Sequence, residues 1–333
     1  MSERTVEYIL IDTGSESNRA MMSDVGRMEN ATQITKTYEP KNLLIDKLIR
    51  LHFSYRIACH IDLPFKTIWN KYSVLLRMTK DNAKEYYIVV VNNAVHKFPR
   101  QLLNELSARE NVHLISLLLD SFDKLPQKIT KLIRKINFER VYTFQKSDSE
   151  KYGFLYTNQI YSKCRLPKPG NEDEKSDLYY IGADKGRMKF LYTVYKMAVA
   201  EGLKPDFTVV VPKNKIESYR ADYPEIKFIY KRVGYKTILK GISRTRALLE
   251  VCQEGQDGLT MRFYEAIFYN KYLITNNITA KGHEYFNPDY MQVINRPVDI
   301  DFSRLKNSAE IDYKYDEGLS PRLFMEELPK YEG

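Results

Sequence analysis

Short, wholly apolar runs alternate along the chain with stretches in which apolar residues recur every three or four positions. The two periods separate strands from helices, because side chains alternate across a strand and repeat every 3.6 residues around a helix. EYILID (7–12) is the first short run and predicts a strand, followed by a TGSES loop. KNLLIDKLIRLHFSYRIA (41–58) has helical spacing at Leu44, Leu48, Leu51 and Tyr55. YYIVVVNN (86–93) and VHLISLLLD (112–120) are apolar on both faces, as buried parallel strands are. Between them, Pro99 opens the helix PRQLLNELSARE. LPQKITKLIRKI (125–136) is a basic amphipathic helix with Ile129, Leu132, Ile133 and Ile136 on one side, and RVYTF (140–144) is a further strand.

The polar segment KCRLPKPGNEDEKSD (163–177), with two prolines and a glycine, interrupts this alternation and predicts a linker. Strands are then expected at LYYIG (178–182), FTVVVP (207–212), KFIYK (227–231), ALLEVC (247–252) and YLITNN (272–277). Helices are expected at 186–202, ending at Gly202, at 235–243, and in the run after Gly258. In that run Leu259, Phe263, Ala266 and Ile267 share one face. The order predicts an α/β protein of two doubly wound parallel-sheet domains. Their expected bounds are 1–165 and 166–310. Residues 311–333 form a C-terminal tail with a last helix, and packing back on the first domain is one option for it.

Composition narrows the class. The chain has 333 residues, 43% of them hydrophobic, enough for sizeable cores. No run approaches the roughly 20 apolar residues of a membrane-spanning helix. The apolar run at the N-terminus is too short for a signal peptide. Cys59, Cys164 and Cys252 lie far apart with no CxxC pair, which argues against a disulfide scaffold or zinc site and fits a reducing, cytoplasmic setting. Residues 1–165 carry 26 Lys and Arg against 18 Asp and Glu, whereas residues 166–333 carry 26 against 25. The basic first half is either general solubility charge or a face for an anionic partner.

Ligands of open α/β sheets bind at the carboxyl ends of strands, which directs attention to the loops after 182, 231 and 252. IGADKGR (181–187) joins a strand to a helix. Gly182 and Gly186 admit close backbone approach, and Lys185 and Arg187 add positive charge beside a helix start. A diphosphate site and a plain tight turn both fit. The loop is neither a Walker A sequence nor a GxGxxG fingerprint. QEGQDG repeats the arrangement before its own helix, on which Arg262 and Glu265 stand three apart. They make either an intrahelical ion pair, worth a few tenths of a kcal/mol on a surface, or part of a site in which Glu265 accepts from ribose hydroxyls. Asp257 and Glu265 have an acidic-x7-acidic spacing.

QDGLTMRFYEAIFYNKYLITNN (256–277) resembles the Q-x-G-L-T-x-R-x-x-E-A block and following K-x-L-I-T-x-N strand of bacterial capsular and exopolysaccharide glycosyltransferases. VYTFQKSDSEKYGF (141–154) and YYIGADKGR (179–187) also look like that family, and the resemblance runs from about 112 to 277. It implies the GT-B fold: two Rossmann-like domains facing across a cleft, acceptor bound by the first and nucleotide-sugar donor by the second. It also implies that no metal is obligatory. The lone D-x-D, Asp299 to Asp301, lies late in a loop-like stretch. By matching position, Gly182, Lys185 and Arg187 would contact the donor diphosphate, with Lys231 a further candidate. Gln256, Gly258, Leu259 and Thr260 would line the sugar and phosphate, Arg262 would brace the loop or phosphate, and Glu265 would bind the ribose. Where related retaining enzymes have the first glutamate of E-x7-E, this chain has Asp257, one methylene shorter.

An inverting transfer also needs a general base. Asp12 and Asp120, at strand ends of the first domain, are the candidates, with His60 and His96 as alternatives. A capping Asp or a solvated His is the plain reading of each. The expected function is a cytoplasmic glycosyltransferase of surface polysaccharide synthesis, at the inner face of the cell membrane in one variant. Its donor would be a nucleotide sugar, UDP-linked, serving as substrate with no cofactor, and its acceptor a glycan or lipid-linked oligosaccharide. Helix 125–136 fits either an anionic membrane or plain solvation. The rival reading is a non-catalytic GT-B module that stabilises a partner transferase. Nucleic-acid binding has no recognisable module behind it.

Overall fold

The structure is a computed structural model that describes residues 4–12, 14, 16–168, 175–231, 233–253, 258–306 and 310–331. The chain divides into two compact units: Met1–Ser162 with Leu319–Gly333, and Lys163–Gly318. The expected bounds were 165 and 310.

Unit 1 holds β1 (Thr5–Ile11), β2 (Ala31–Ile34), β3 (Lys84–Val91), β4 (Val112–Leu118), β5 (Arg140–Thr143) and β6 (Leu155–Tyr156). They form one sheet in the order β2-β1-β3-β4-β5-β6, and every pair is parallel. β1 and β3 lie side by side, Thr5 opposite Lys84 through Ile11 opposite Val90. The chain runs outward from β1 to β2 and re-enters on the other side at β3. The loops after β1 and β3 therefore diverge at a switch point, the place where such sheets bind ligands. Tyr86 through Val91 are all buried, which is why β3 is apolar on both faces.

The expected helix 41–58 is two helices, Leu43–His52 and Tyr55–Ala58. The stripe with helical spacing is turned outward: Leu44, Leu48, Leu51 and Tyr55 are exposed. The inner face is Ile45, Ile49 and Phe53, packed with Tyr38, Trp69 and Tyr72. Helix Gln127–Ile133 follows expectation, with Ile129 and Ile133 buried in the core. Helix Pro321–Glu327 closes unit 1. Tyr161 N donates to the Leu319 carbonyl at 2.7 Å. Buried Asp24 accepts from Ser162 Oγ at 2.7 Å and from Ser320 Oγ.

Unit 2 holds β7 (Ser176–Ala183), β8 (Pro205–Val210), β9 (Lys227–Ile229), β10 (Thr245–Glu250), β11 (Tyr272–Thr275) and β12 (Met291–Val293). The all-parallel order is β12-β11-β10-β7-β8-β9. Its switch point lies between β7 and β10. Helix Met261–Phe268 is buried at six successive positions, Phe263 through Phe268. An amphipathic helix with one core face would not bury all of them, so the single stripe read from the sequence is too narrow. Residues 311–318 stay with unit 2, where the Tyr313 hydroxyl donates to the Lys271 carbonyl at 3.1 Å.

Candidate functional site

β7 ends in Gly182 and Ala183 and turns into helix Met188–Ala200. A Cβ on Gly182 would lie 2.7 Å from the Tyr180 hydroxyl, so packing inside the sheet already demands glycine. Lys185 (φ +47°) and Gly186 (φ +82°) are both left-handed, which makes the turn tight and carries Lys185 to the exposed surface. Asp184 Oδ1 accepts from Met188 N at 3.0 Å and Oδ2 accepts from the Tyr219 hydroxyl at 2.6 Å. The chain's own carboxylate thus takes the Met188 amide at this helix start. Arg187 was expected on a diphosphate. Its guanidinium instead donates to three carbonyls, Asp184 at 3.1 Å, Ala183, and Val251 at the end of β10. It latches the two strand-end loops of the switch point together.

The loop after β10 is fastened from β11. Cys252 N donates to Asn276 Oδ1 at 2.6 Å, and Asn277 Nδ2 donates to the Gly258 carbonyl at 3.2 Å. Thr260 caps helix Met261–Phe268, accepting from Arg262 N at 3.1 Å and donating its hydroxyl to Glu250. The second Glu250 oxygen accepts from Thr275. Burial pushes the Glu250 carboxyl upward, and the two threonine hydroxyls oppose that. Sequence reasoning missed Glu250. Its signal was a lone carboxylate inside the apolar run ALLEVC. Leu259 is half-buried just before the helix. Gln256 and Asp257 lie outside the described residues.

Glu265 is 1% exposed. It pairs with Arg262 at 2.7 Å, and that guanidinium lies 5.5 Å from the centre of the Tyr179 ring. Burial pushes the carboxyl upward, against the pull of Arg262 and a contact with the Tyr235 hydroxyl. The pair is intrahelical, as one expectation had it, but buried rather than on the surface. The ribose expected at Glu265 would meet a carboxylate already held by Arg262. Lys231 stands apart from this group. It follows outer strand β9, stacks over Tyr230 at 5.5 Å and lines a pocket of about 570 Å³ with Lys213 and Arg220.

In unit 1, Asp12 is fully buried. Its carboxylate accepts from Gly14 N at 2.5 Å and Gln33 Nε2 at 2.6 Å, and its carbonyl accepts from Lys97 Nζ at 2.6 Å. Both carboxylate oxygens are used in holding the loop. Asp120 is exposed and accepts from Asn92 Nδ2 at 3.0 Å. Asn92, at φ +48°, also accepts from the amides of Leu119 and Asp120, tying the ends of β3 and β4. His60 is exposed on a turn. His96 is buried, and its Nδ1 meets the Asn93 carbonyl, which places the proton on Nδ1 and the lone pair on Nε2. Burial pushes its pKa down to about 4. It lines one pocket of about 480 Å³ with Arg19, Lys36 and Lys97, and another of about 370 Å³.

Asp299 and Asp301 serve local turns, at Arg296 N (2.8 Å) and Ser303 N (3.0 Å). Among the described residues, no group of three or more His, Cys, Asp or Glu side chains could hold a metal ion. Among them, too, no helix is long and apolar enough to cross a membrane.

The structure is similar to a UDP-N-acetylglucosamine 2-epimerase, with a TM-score of 0.51 at 11% identity over 98% of this chain and 96% of that one. The Neisseria meningitidis UDP-GlcNAc 2-epimerase, solved bound to UDP-GlcNAc, scores 0.51 at 10% identity over 98% and 100%. AviGT4, a glycosyltransferase involved in avilamycin A biosynthesis, scores 0.42 at 11% identity over 90% and 87%. No family model matches the chain, and no curated protein matches it. The two parallel six-stranded sheets and the epimerase likeness establish the GT-B fold, two Rossmann-like domains.

Proposed function

We propose that the protein is a glycosyltransferase that moves a sugar from a nucleotide-sugar donor to a hydroxyl of a glycan acceptor in surface polysaccharide synthesis. One observation carries this reading. Two separately recognisable motifs, 179–187 and 256–277, end in loops at the same switch point, and Arg187 joins those loops through the Val251 carbonyl. The shared fold of the neighbour solved with UDP-GlcNAc bound supports a UDP-linked donor. A lipid-linked acceptor follows from the family resemblance.

In this reading the donor diphosphate lies over the β7 and β10 loops. Lys185 and the start of helix Met261–Phe268 stabilise the charge that develops as the bond from the anomeric carbon to the diphosphate oxygen breaks. Arg187, Arg262 and Glu265 hold the loops in place. The acceptor hydroxyl forms the new bond to the anomeric carbon and gives up its proton to a general base. Among the four candidates, His96 has a defined tautomer and lines a pocket. No metal is required in this scheme.

Isothermal titration with UDP-, GDP-, CMP- and dTDP-sugars tests the reading. One of them is expected to bind, and Arg187→Ala to weaken it. Absence of binding by all four would overturn it. The second reading, a non-catalytic module that stabilises a partner transferase, is favoured by one observation. Of the charges expected on the donor, Arg187 is bonded to carbonyls of the chain, and Arg262 and Glu265 are paired with each other. It predicts no nucleotide binding.

A further inference from the structure

We propose that unit 1 docks on an anionic lipid bilayer through residues 43–68 and the basic basin beside them. Leu43, Leu44, Leu48 and Leu51 project from helix Leu43–His52, and Leu43 is 79% exposed. Ile61, Phe65 and Ile68 continue the surface, with Phe65 76% exposed. Among the described residues, eight of the 14 exposed large hydrophobic ones fall between 43 and 68, whereas soluble surfaces scatter such residues singly.

The outer leucines are not needed to anchor the helix. Its inner face, Ile45, Ile49 and Phe53, already packs on Tyr38 and Trp69. The loop bearing Phe65 is a built structure. Phe65 itself is left-handed, at φ +60°, a state uncommon for a bulky side chain. His52 fixes the loop on both sides: one ring nitrogen meets the Pro64 carbonyl at 2.8 Å and the other accepts from Trp69 Nε1 at 2.8 Å.

Charge selects the occupant. Residues 41–71 carry six Lys and Arg against two Asp. Both aspartates are paired within the segment, Asp46 with Arg50 at 2.7 Å and Asp62 with Lys66 at 2.6 Å. Next to Phe65 lies a basin of about 370 Å³ lined by Lys66, Arg100, Lys128, Lys131 and Lys135. Apolar side chains beside a dense set of cations match a bilayer carrying negative headgroups. The leucines and Phe65 enter the acyl boundary, and the ammonium groups meet phosphates. This accounts for the basic outer side of helix Gln127–Ile133, whose apolar side faces the core.

The test is flotation of the full chain with vesicles of phosphatidylcholine alone or mixed with phosphatidylglycerol. Trp69 is the chain's single tryptophan and adjoins the surface, so its emission reports docking. Binding is expected to the mixed vesicles, with a shift of Trp69 emission, and to fall with added salt. Leu48→Ser and Phe65→Ser should each weaken it by roughly tenfold. Loss of each lysine in Lys128→Ser and Lys131→Ser should cost about fivefold. Unchanged near-ultraviolet circular dichroism confirms that these surface variants fold. Equal binding to both vesicle types, no binding, or variants that bind like the parent would overturn the proposal. So would a dimer in sedimentation that Leu48→Ser dissociates, since the surface would then join two copies. Nucleotide titration is independent of all these outcomes, so this inference and the transferase reading can fail separately.

Discussion

Lys97 donates to the carbonyl of Asp12 at 2.6 Å, from the end of the turn after β3 to the end of β1. Arg187 does the same between β7 and β10, reaching the Val251 carbonyl. Each unit thus uses a cation from one switch-point loop to hold a carbonyl on the neighbouring strand. A fixed rim costs no reordering when a ligand arrives. Arg187 makes three such bonds, and a lysine could keep one. Arg187→Lys, which loses two of them, should cost about 3–6 kcal/mol in urea unfolding, because bonds from a charged donor contribute about 1.5–3 kcal/mol each. It should also weaken nucleotide binding. Unchanged unfolding would show that the latch contributes nothing.

The Arg262–Glu265 pair is buried, so deleting one partner strands the other. Glu265→Ala should destabilise by about 3–5 kcal/mol, and Glu265→Gln by less, because the amide oxygen still accepts. A residue used mainly to bind ribose behaves differently. Its alanine variant would unfold like the parent and lose only nucleotide affinity, so thermal unfolding and titration on one preparation separate the roles.

Gly241 lies inside helix Tyr235–Ser243, where alanine is normally the better residue. A Cβ there would come within 2.2 Å of the Tyr179 ring, the ring under Arg262. Gly241→Ala is therefore expected to destabilise by about 1–3 kcal/mol through overpacking. A rise in melting temperature would show that Tyr179 moves aside freely.

His96 titrates near 6.5 when unfolded and at about 4 when folded, because burial disfavours its cation. Between those values the unfolded chain binds more protons, so stability falls as pH drops from about 6.5 to 4. The loss from His96 is on the order of 3 kcal/mol. His283, also lowered to about 4 by burial, adds in the same direction. Chemical denaturation across this window should show the slope, and His96→Gln should flatten it. A slope unchanged in that variant would remove His96 as its source.

The central strands were legible because residues buried on both faces must be apolar. β2, β6 and β12 were not. They are sheet-edge strands of four, two and three residues, too short for a period to register. In helix Leu43–His52 the period was legible and its direction was not. Leu44, Leu48 and Leu51 make as good a stripe as Ile45, Ile49 and Phe53, and only packing decides which turns inward. The motif at 256–277 drew attention to the loop after β10. It could not reveal that Thr275, Asn276 and Asn277 clasp the β10 loop through Glu250, Cys252 and Gly258, because those bonds join residues about 20 apart. Residue type likewise marked Arg187 as a cation beside a strand-end loop without showing that carbonyls occupy it.

Asp24 accepts from Ser162 and from Ser320, near the last residues of the chain. During synthesis, strands β1 to β6 leave the ribosome long before helix Pro321–Glu327 exists. All of unit 2 is made while Asp24 still lacks Ser320 and Arg140 still lacks the Leu328 carbonyl, which its guanidinium meets at 3.0 Å. Unit 1 is begun before unit 2 and completed after it, so a frameshift or early stop after residue 318 would spare unit 2 and damage unit 1.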